Sequence, residues 1–361
     1  MSVTIPVVDL FAGPGGLGEG FSAFRTDKKA KTLFRIAISA DMDPTAHATL
    51  RLRAFFRQFK DPEDVPSKYY QYLSGEIERA ELENDPDLRK HWKAADAEAR
   101  CLTLGEPEDN KDLGRRLRKI LKGKKHWVLI GGPPCQAYSL VGRARNQGIA
   151  GYRPEDDHRH FLYREYLRIV RDFQPSVFVM ENVKGILSSK VGGEMVFPKI
   201  VNDLTDPSNV RGGRRTGKRA RYRLYSLSTG RSTGEAGSEK KFDPREFVIR
   251  SEEYGVPQRR HRVFILGVRE DIAIDVPPKL SARLQPAPTV SDAIGDLEEL
   301  RSGVSRGEDN DFPKGSYEHW AATVNDMGES LVGALSTHSA CDLFVDDFRK
   351  VALEVRETLK R

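Results

Sequence analysis

The sequence predicts an α/β protein built on a doubly wound, largely parallel sheet. Three observations carry that expectation. Short apolar runs alternate with stretches of helical spacing over the first 270 residues. A glycine-rich turn, "GPGGLG" from Gly13 to Gly18, directly follows the first apolar run. Further along, "SVFVMENV" is a continuous apolar strand of the kind buried inside a parallel sheet.

Taken in order, the first strand covers Pro6–Phe11, and Gly18–Phe24 opens a helix. "FRIAISADMD" is a second strand ending in Asp41 and Asp43. "PTAHATLRLRAFF" follows with helical spacing, and Pro44 suits its first turn, where a missing N–H forfeits nothing. From about 56 to 100 the chain is rich in Glu, Lys and Arg and reads as surface helices, an insertion rather than core. A short third strand near Cys101–Gly105 leads into "DNKDLGRRLRKIL", a helix with Asp109 or Asn110 as N-cap. "HWVLIGG" is the fourth strand and "HFLYREYLRIVRDF" an amphipathic helix. Residues 203–241 are dominated by Gly, Arg and Ser and read as a loop, a second charged insertion. The strand "HRVFILGVR" follows. Beyond Asp271 a proline-rich linker leads into a short helix and a polar stretch without strong pattern.

The 361 residues suffice for one large domain or two. Hydrophobic residues make up 38% and charged ones 31%, and the net charge of +6 permits a polyanionic partner. The three cysteines, Cys101, Cys135 and Cys341, are far apart and form no C-x-x-C pair, so neither a disulfide framework nor a thiolate metal site is indicated. No segment approaches 18 apolar residues, and no basic, apolar leader opens the chain. The expectation is a cytoplasmic chain without metal or membrane.

Four stretches carry chemistry. In the glycine turn, Gly13, Gly15 and Gly18 have the spacing of a nucleotide-binding loop, and Asp41 at the end of strand two is placed to accept bonds from ribose hydroxyls. Both features suit NAD and S-adenosylmethionine alike. Pro14 removes a donor that a pyrophosphate would use, and Glu19 would repel a second phosphate but not a sulfonium. The second stretch, "IGGPPCQAYS", lifts Cys135 on a stiff Gly-Gly-Pro-Pro loop to the carboxyl edge of the sheet. Third, "FVMENVKGI" ends its strand in Glu181 and Asn182, where an apolar pocket would keep a carboxyl protonated. Fourth, "YGVPQRRHRVFILGVR" presents Gln258, Arg260 and Arg262, and strand alternation would put all three on one face.

In this order and company, the four stretches resemble the cofactor loop, Pro-Cys-Gln loop, Glu-Asn-Val strand and Gln-x-Arg-x-Arg strand of the DNA cytosine-5 methyltransferases. The likeness covers about residues 5–270 apart from the two insertions, and "APTVSDAIGDL" at 287–297 resembles the segment that follows in bacterial members. It implies a Rossmann-like, S-adenosylmethionine-dependent methyltransferase fold, a catalytic domain over 1–270, and a bacterial or phage modification enzyme of a restriction-modification system. By resemblance, Cys135 adds to carbon 6 of a flipped-out cytosine, Glu181 bonds ring N3 and the amino group, Arg262 holds O2 and steadies Glu181, and Arg260 contacts the site or the phosphate nearby. Gln136, Ser139, Asn182 and Gln258 then lie at the substrate. Phe11, Ala12, Gly13, Gly15, Gly16, Leu17, Asp41, Met42 and Pro133 surround the cofactor. The acid expected at the adenine amino group is Glu106, with Glu76 the alternative.

The resemblance also implies double-stranded DNA as partner. Family members continue with a target-recognition domain and a final Gly-Asn-Ser-Val-like helix, neither found before Arg361, so 271–361 is expected to hold a linker and the start of a recognition region at "STHSACDLFVDDFRK". A second polypeptide completing a split enzyme, a truncated product, and a divergent tail are the three readings. A transfer-RNA methyltransferase and a catalytically incomplete subunit are the alternatives in function.

Overall fold

The computed structural model describes residues 4–25, 32–134, 162–191, 193–209, 220–233, 243–272, 278–282, 288–297 and 322. In chain order these form β1 (Ile5–Leu10), α1 (Gly16–Ala23), β2 (Phe34–Asp41), α2 (Pro44–Phe56), α3 (Ser67–Leu73), α4 (Arg79–Glu83), α5 (Arg89–Glu98), β3 (Ala99–Cys101), α6 (Pro107–Ile120) and β4 (Val128–Gly131). There follow α7 (Leu162–Phe173), β5 (Val177–Val183), a small hairpin of β6 (Lys190–Val191) and β7 (Glu194–Met195), α8 (Val196–Thr205), β8 (Tyr222–Tyr225), β9 (Val248–Arg250), β10 (His261–Arg269) and α9 (Val290–Ile294). The chain divides into two compact units, 1–289 and 290–361. All ten described strands belong to the first; the described part of the second is chiefly exposed α9 and its flanks.

Eight strands form one sheet in the order β3-β2-β1-β4-β5-β10-β8, with β9 also pairing β10. The first five are parallel, while β10 runs antiparallel to β5, β8 and β9. Register explains the position of the site. Leu10 lies opposite both Ala40 and Gly131, and Gly131 opposite Met180, so the carboxyl ends of β1, β2 and β4 finish nearly level while β5 runs on to Val183. Ligands bind at such an edge in open α/β sheets.

Alternation along β1 sends Val8 and Leu10 into the main core with Leu113 and Leu117 of α6 and Tyr166 and Val170 of α7. Val7 packs on the other face with Ile36, Val128 and Ile130, against Leu17 and Phe21 of α1. α2 starts at Pro44 because Asp43 caps it, its carboxylate accepting the Ala46 N–H at 2.7 Å.

Several expectations need correction. α1 begins at Gly16, two residues before the expected start. α6 is not capped by Asp109 or Asn110: it begins at Pro107 with Glu106 as N-cap, and the Asp109 carboxylate accepts the Thr103 N–H instead. The third strand is Ala99–Cys101. The 56–100 segment is more than surface helices, because Leu82, Leu88, Trp92 and Ala95 close a second core over Leu50, Ala54 and Phe55 of α2. Within the 203–241 loop, Tyr222–Tyr225 forms β8, since pairing with Leu266–Arg269 satisfies its backbone. β5 is parallel to β4 but antiparallel to β10, and its residues alternate between buried and half-buried.

Candidate active site

Between β1 and α1 the backbone turns through three left-handed residues, Phe11 (φ 54), Gly13 (φ 54) and Gly15 (φ 92). A Cβ on Gly15 would meet Leu50 Cδ2 at 2.8 Å, whereas Gly13 and Gly16 face space open to 4 Å. The loop is therefore a cradle above the start of α1, whose first amides receive no side-chain cap. Asp41 braces it, accepting the Gly13 N–H at 2.7 Å and the Asp43 N–H at 2.9 Å. A carboxylate so engaged keeps further lone pairs. Met42, beside it, leaves 59% of a large apolar side chain exposed.

The other loop residues serve it from behind. Phe11 packs on the main core, Ala12 on the second core and Leu17 on the β1–β4 face. Glu106 is exposed where the chain leaves β3, and its carboxylate does not cap α6. Glu76 instead occupies the α3–α4 turn and accepts the Ser74 hydroxyl at 2.8 Å. The discriminating role expected of Glu19 fails, because Arg57 neutralises it while also pairing with Glu98.

Sequence reasoning missed Asp9, fully buried under the loop with neither carboxyl oxygen hydrogen-bonded. Burial pushes its pKa up to about 8 against the opposing pull of Arg57. The only signal was an acid inside the apolar run "VVDLF".

Cys135, Gln136 and Ser139 lie outside the described residues, but the approach to them is defined. A Cβ on Gly131 would stand 2.3 Å from the Leu10 carbonyl oxygen, and one on Gly132 would stand 2.9 Å from Glu181 Oε2. The two glycines thus let β4 lie against β1 and let the carboxylate stand over the loop. Pro133 is held by Asn182, whose Nδ2 donates to its carbonyl at 3.0 Å while Oδ1 accepts the Val183 N–H at 2.9 Å. Asn182 is buried and so fixes the backbone at Pro133.

Glu181, one residue earlier, pairs with Arg262 across the β5–β10 ladder at 3.0 Å, both side chains 23% exposed. Burial raises the Glu181 carboxyl, and Arg262 and Arg260 oppose the rise. The alternation expected of Gln258, Arg260 and Arg262 is corrected: only Arg262 lies in β10. Residues 256–260 form a tight turn in which the Gln258 N–H donates to Val256 O and the Arg260 N–H to Gln258 O. The Ser251 hydroxyl locks this turn, donating to the Gln258 carbonyl at 2.6 Å and accepting the Arg260 N–H at 3.0 Å. Gln258 and Arg260 are exposed, and Arg262 Nη1 donates to the His261 carbonyl.

The structure thus gathers a glycine cradle, the loop entering Cys135, a half-buried carboxyl and two arginines along one sheet edge. Among the described residues no group of His, Cys, Asp and Glu could hold a metal ion, and no helix is long and apolar enough to cross a membrane. Among proteins of known identity, the chain is 29% identical over 314 residues to the type II methyltransferase M.Bpa9945I of Bacillus paralicheniformis, covering 82% of this chain and 61% of that protein. It is 33% identical over 183 residues to M.AquIA of a Picosynechococcus species, covering 47% and 60%. It is 33% identical over 186 residues to M.BspRI of Lysinibacillus sphaericus, covering 50% and 34%. The chain therefore spans between about a third and three-fifths of the length of these relatives. The family model for C-5 cytosine-specific DNA methylase matches residues 103–207 and 241–341, more than half of the sequence. The chain belongs to the C-5 cytosine-specific DNA methylase family.

Proposed function

We propose that this chain carries the catalytic centre that methylates carbon 5 of cytosine in DNA, within a cytosolic modification enzyme of the restriction-modification type. The observation that carries the proposal is the Glu181–Arg262 pair standing over the loop that leads into Cys135. The cradle residues fit S-adenosylmethionine: open space at Gly13 and Gly16, uncapped α1 amides, spare acceptor capacity on Asp41, and the exposed Met42 and Glu106 for the adenine. When bound, that cofactor supplies an electrophilic methyl group on a sulfonium.

The protein's own residues prepare the base to receive it. Cytosine carbon 5 is a weak nucleophile, and a thiolate added at carbon 6 makes it electron-rich. Cys135 forms that S–C6 bond, and the displaced electron pair moves toward ring N3 and O2. Glu181, whose carboxyl pKa burial raises, donates to N3. Arg262 holds O2 and orients Glu181, and Arg260 adds positive charge beside them. After methylation, loss of the carbon 5 proton returns an electron pair that expels the Cys135 thiolate. The base leaves the duplex first, because carbon 6 is unreachable within the stack.

The test is transfer of labelled methyl groups to mixed-sequence duplex DNA by the native chain, Cys135→Ser and Glu181→Gln. The expected outcome is weak incorporation as 5-methylcytosine by the native chain and none by either variant. Label on an exocyclic nitrogen overturns the proposal. No label despite retained cofactor binding rejects activity by this chain alone and directs the search to a second polypeptide.

A further inference from the structure

The amino ends of the strands carry charge that the active site does not use. α6 finishes with Arg115, Arg116, Arg118 and Lys119, and the turn into β4 adds Lys122, Lys124 and Lys125 around Gly123. Asp112 is the counter-ion of Arg115 and Arg116. Arg118 and the four lysines have no acidic partner among the described residues. The other acids at this end are already engaged: Glu98 with Arg57, Glu270 with Arg221, and Asp271 with Arg269.

A groove of about 690 Å³ adjoins this cluster. Its charged lining is Arg35, Arg57, Glu98, Arg116 and Lys119. It runs beside the first half of β2, which has no strand partner on that side because β3 pairs only with Ser39–Asp41. Cations in the last turn of a helix complement its dipole, which accounts for Arg118 and Lys119. It does not account for Lys122, Lys124 and Lys125, which lie beyond the helix and repel one another without a counter-ion.

The turn leads into Val128, opposite Val7 of β1 and Val177 of β5, so it lies at the end of the sheet away from Glu181 and the glycine cradle. Strands of six to eight residues, as β1 and β2 are, separate the two ends by about 20–26 Å.

We infer that the α6–β4 turn and its groove are a second DNA-binding surface, which holds the phosphate backbone of a duplex segment other than the one being methylated. The inference rests on DNA being the substrate. Lysines suit the task, since compact cations on flexible stems neutralise phosphates without reading bases. The surface would keep a long DNA attached while the active site releases one cytosine and finds another.

The test is the salt dependence of binding to a fluorescent 24-base-pair duplex, for the native chain and a variant with Lys119, Lys122, Lys124 and Lys125 each changed to Glu. Each phosphate neutralised contributes about 0.9 to the slope of log K against log salt, so the slope is expected to fall in magnitude by about 3 to 4. A control with the same reversals at Lys60, Lys68, Lys90 and Lys93 is expected to lose less than half as much. An unchanged slope, an equal loss in the control, or no binding by the native chain overturns the inference. Methyl transfer is measured in parallel: its absence with the slope difference intact rejects activity by this chain alone and leaves DNA binding at this surface standing.

Discussion

Glu181 Oε1 lies 3.0 Å from Arg262 Nε, although the two residues are offset along the ladder, Glu181 facing Phe264 and Arg262 facing Val183. The side chains close the diagonal that the backbone leaves open. Arg262 offsets part of the burial that raises the carboxyl. Arg262→Ala is therefore expected to raise the Glu181 pKa further. Under the proposed mechanism Glu181 donates a proton, so the limb of the rate profile set by Glu181 should move to higher pH. The plateau itself should fall about 10²- to 10³-fold, as when one charge-stabilising donor is removed. A profile that keeps its limb would separate Arg262 from Glu181.

The two neighbouring glycines should fail in different ways. Gly131→Ala sets a Cβ against the Leu10 backbone and is expected to lower thermal stability. Gly132→Ala meets only a carboxylate tip, so it should fold normally and lose turnover by displacing Glu181. Melting curves beside methyl-transfer rates separate the two.

Asn182→Ala leaves the buried Pro133 carbonyl without its donor, at a cost of about 1–3 kcal/mol. Because the loss falls on the loop entering Cys135, turnover should drop while cofactor binding, measured calorimetrically, stays within twofold.

Asp9 gives the chain a pH signature. Its folded pKa of about 8 exceeds the ordinary 3.8, so the folded state holds a proton that the unfolded chain releases. The stability linked to this group is complete below the ordinary value and declines as pH rises to about 8. Asp9→Asn never ionises, and urea unfolding should find it more stable than the native chain at pH 8, with the difference shrinking toward pH 5.

Trp92→Ala should cost about 3–5 kcal/mol, because Trp92 stacks on Phe55 at 4.5 Å in the second core. Loss of less than 1 kcal/mol would return the 56–100 segment to the status of a surface appendage.

What could be read in advance followed from local rules. Pro44–Phe56 and His261–Arg269 were legible because a cap or unbroken strand pattern spoke for each. "YRLY" was not, since its arginine- and glycine-rich surroundings argued for a loop and only pairing with β10 made it a strand. Leu82 and Trp92 were diluted among charged neighbours, and their burial depends on α2. At the site, the identities of Glu181 and Arg262 were visible. Their diagonal contact, the space at Gly132 and the Ser251 lock were not, because each depends on chain segments brought together from afar.

The placement of β10 between β5 and β8 also governs when a site exists at all. About eighty residues separate Glu181 from Arg262, and β10 must slot into the middle of the sheet rather than add to its rim. Long-range closures of this kind are slow and come late in folding. A nascent chain that has reached β5 thus displays a lone carboxylate with no arginine to work with. The Glu181–Arg262 pair would then form in a single step, after the polypeptide is already committed to its native topology.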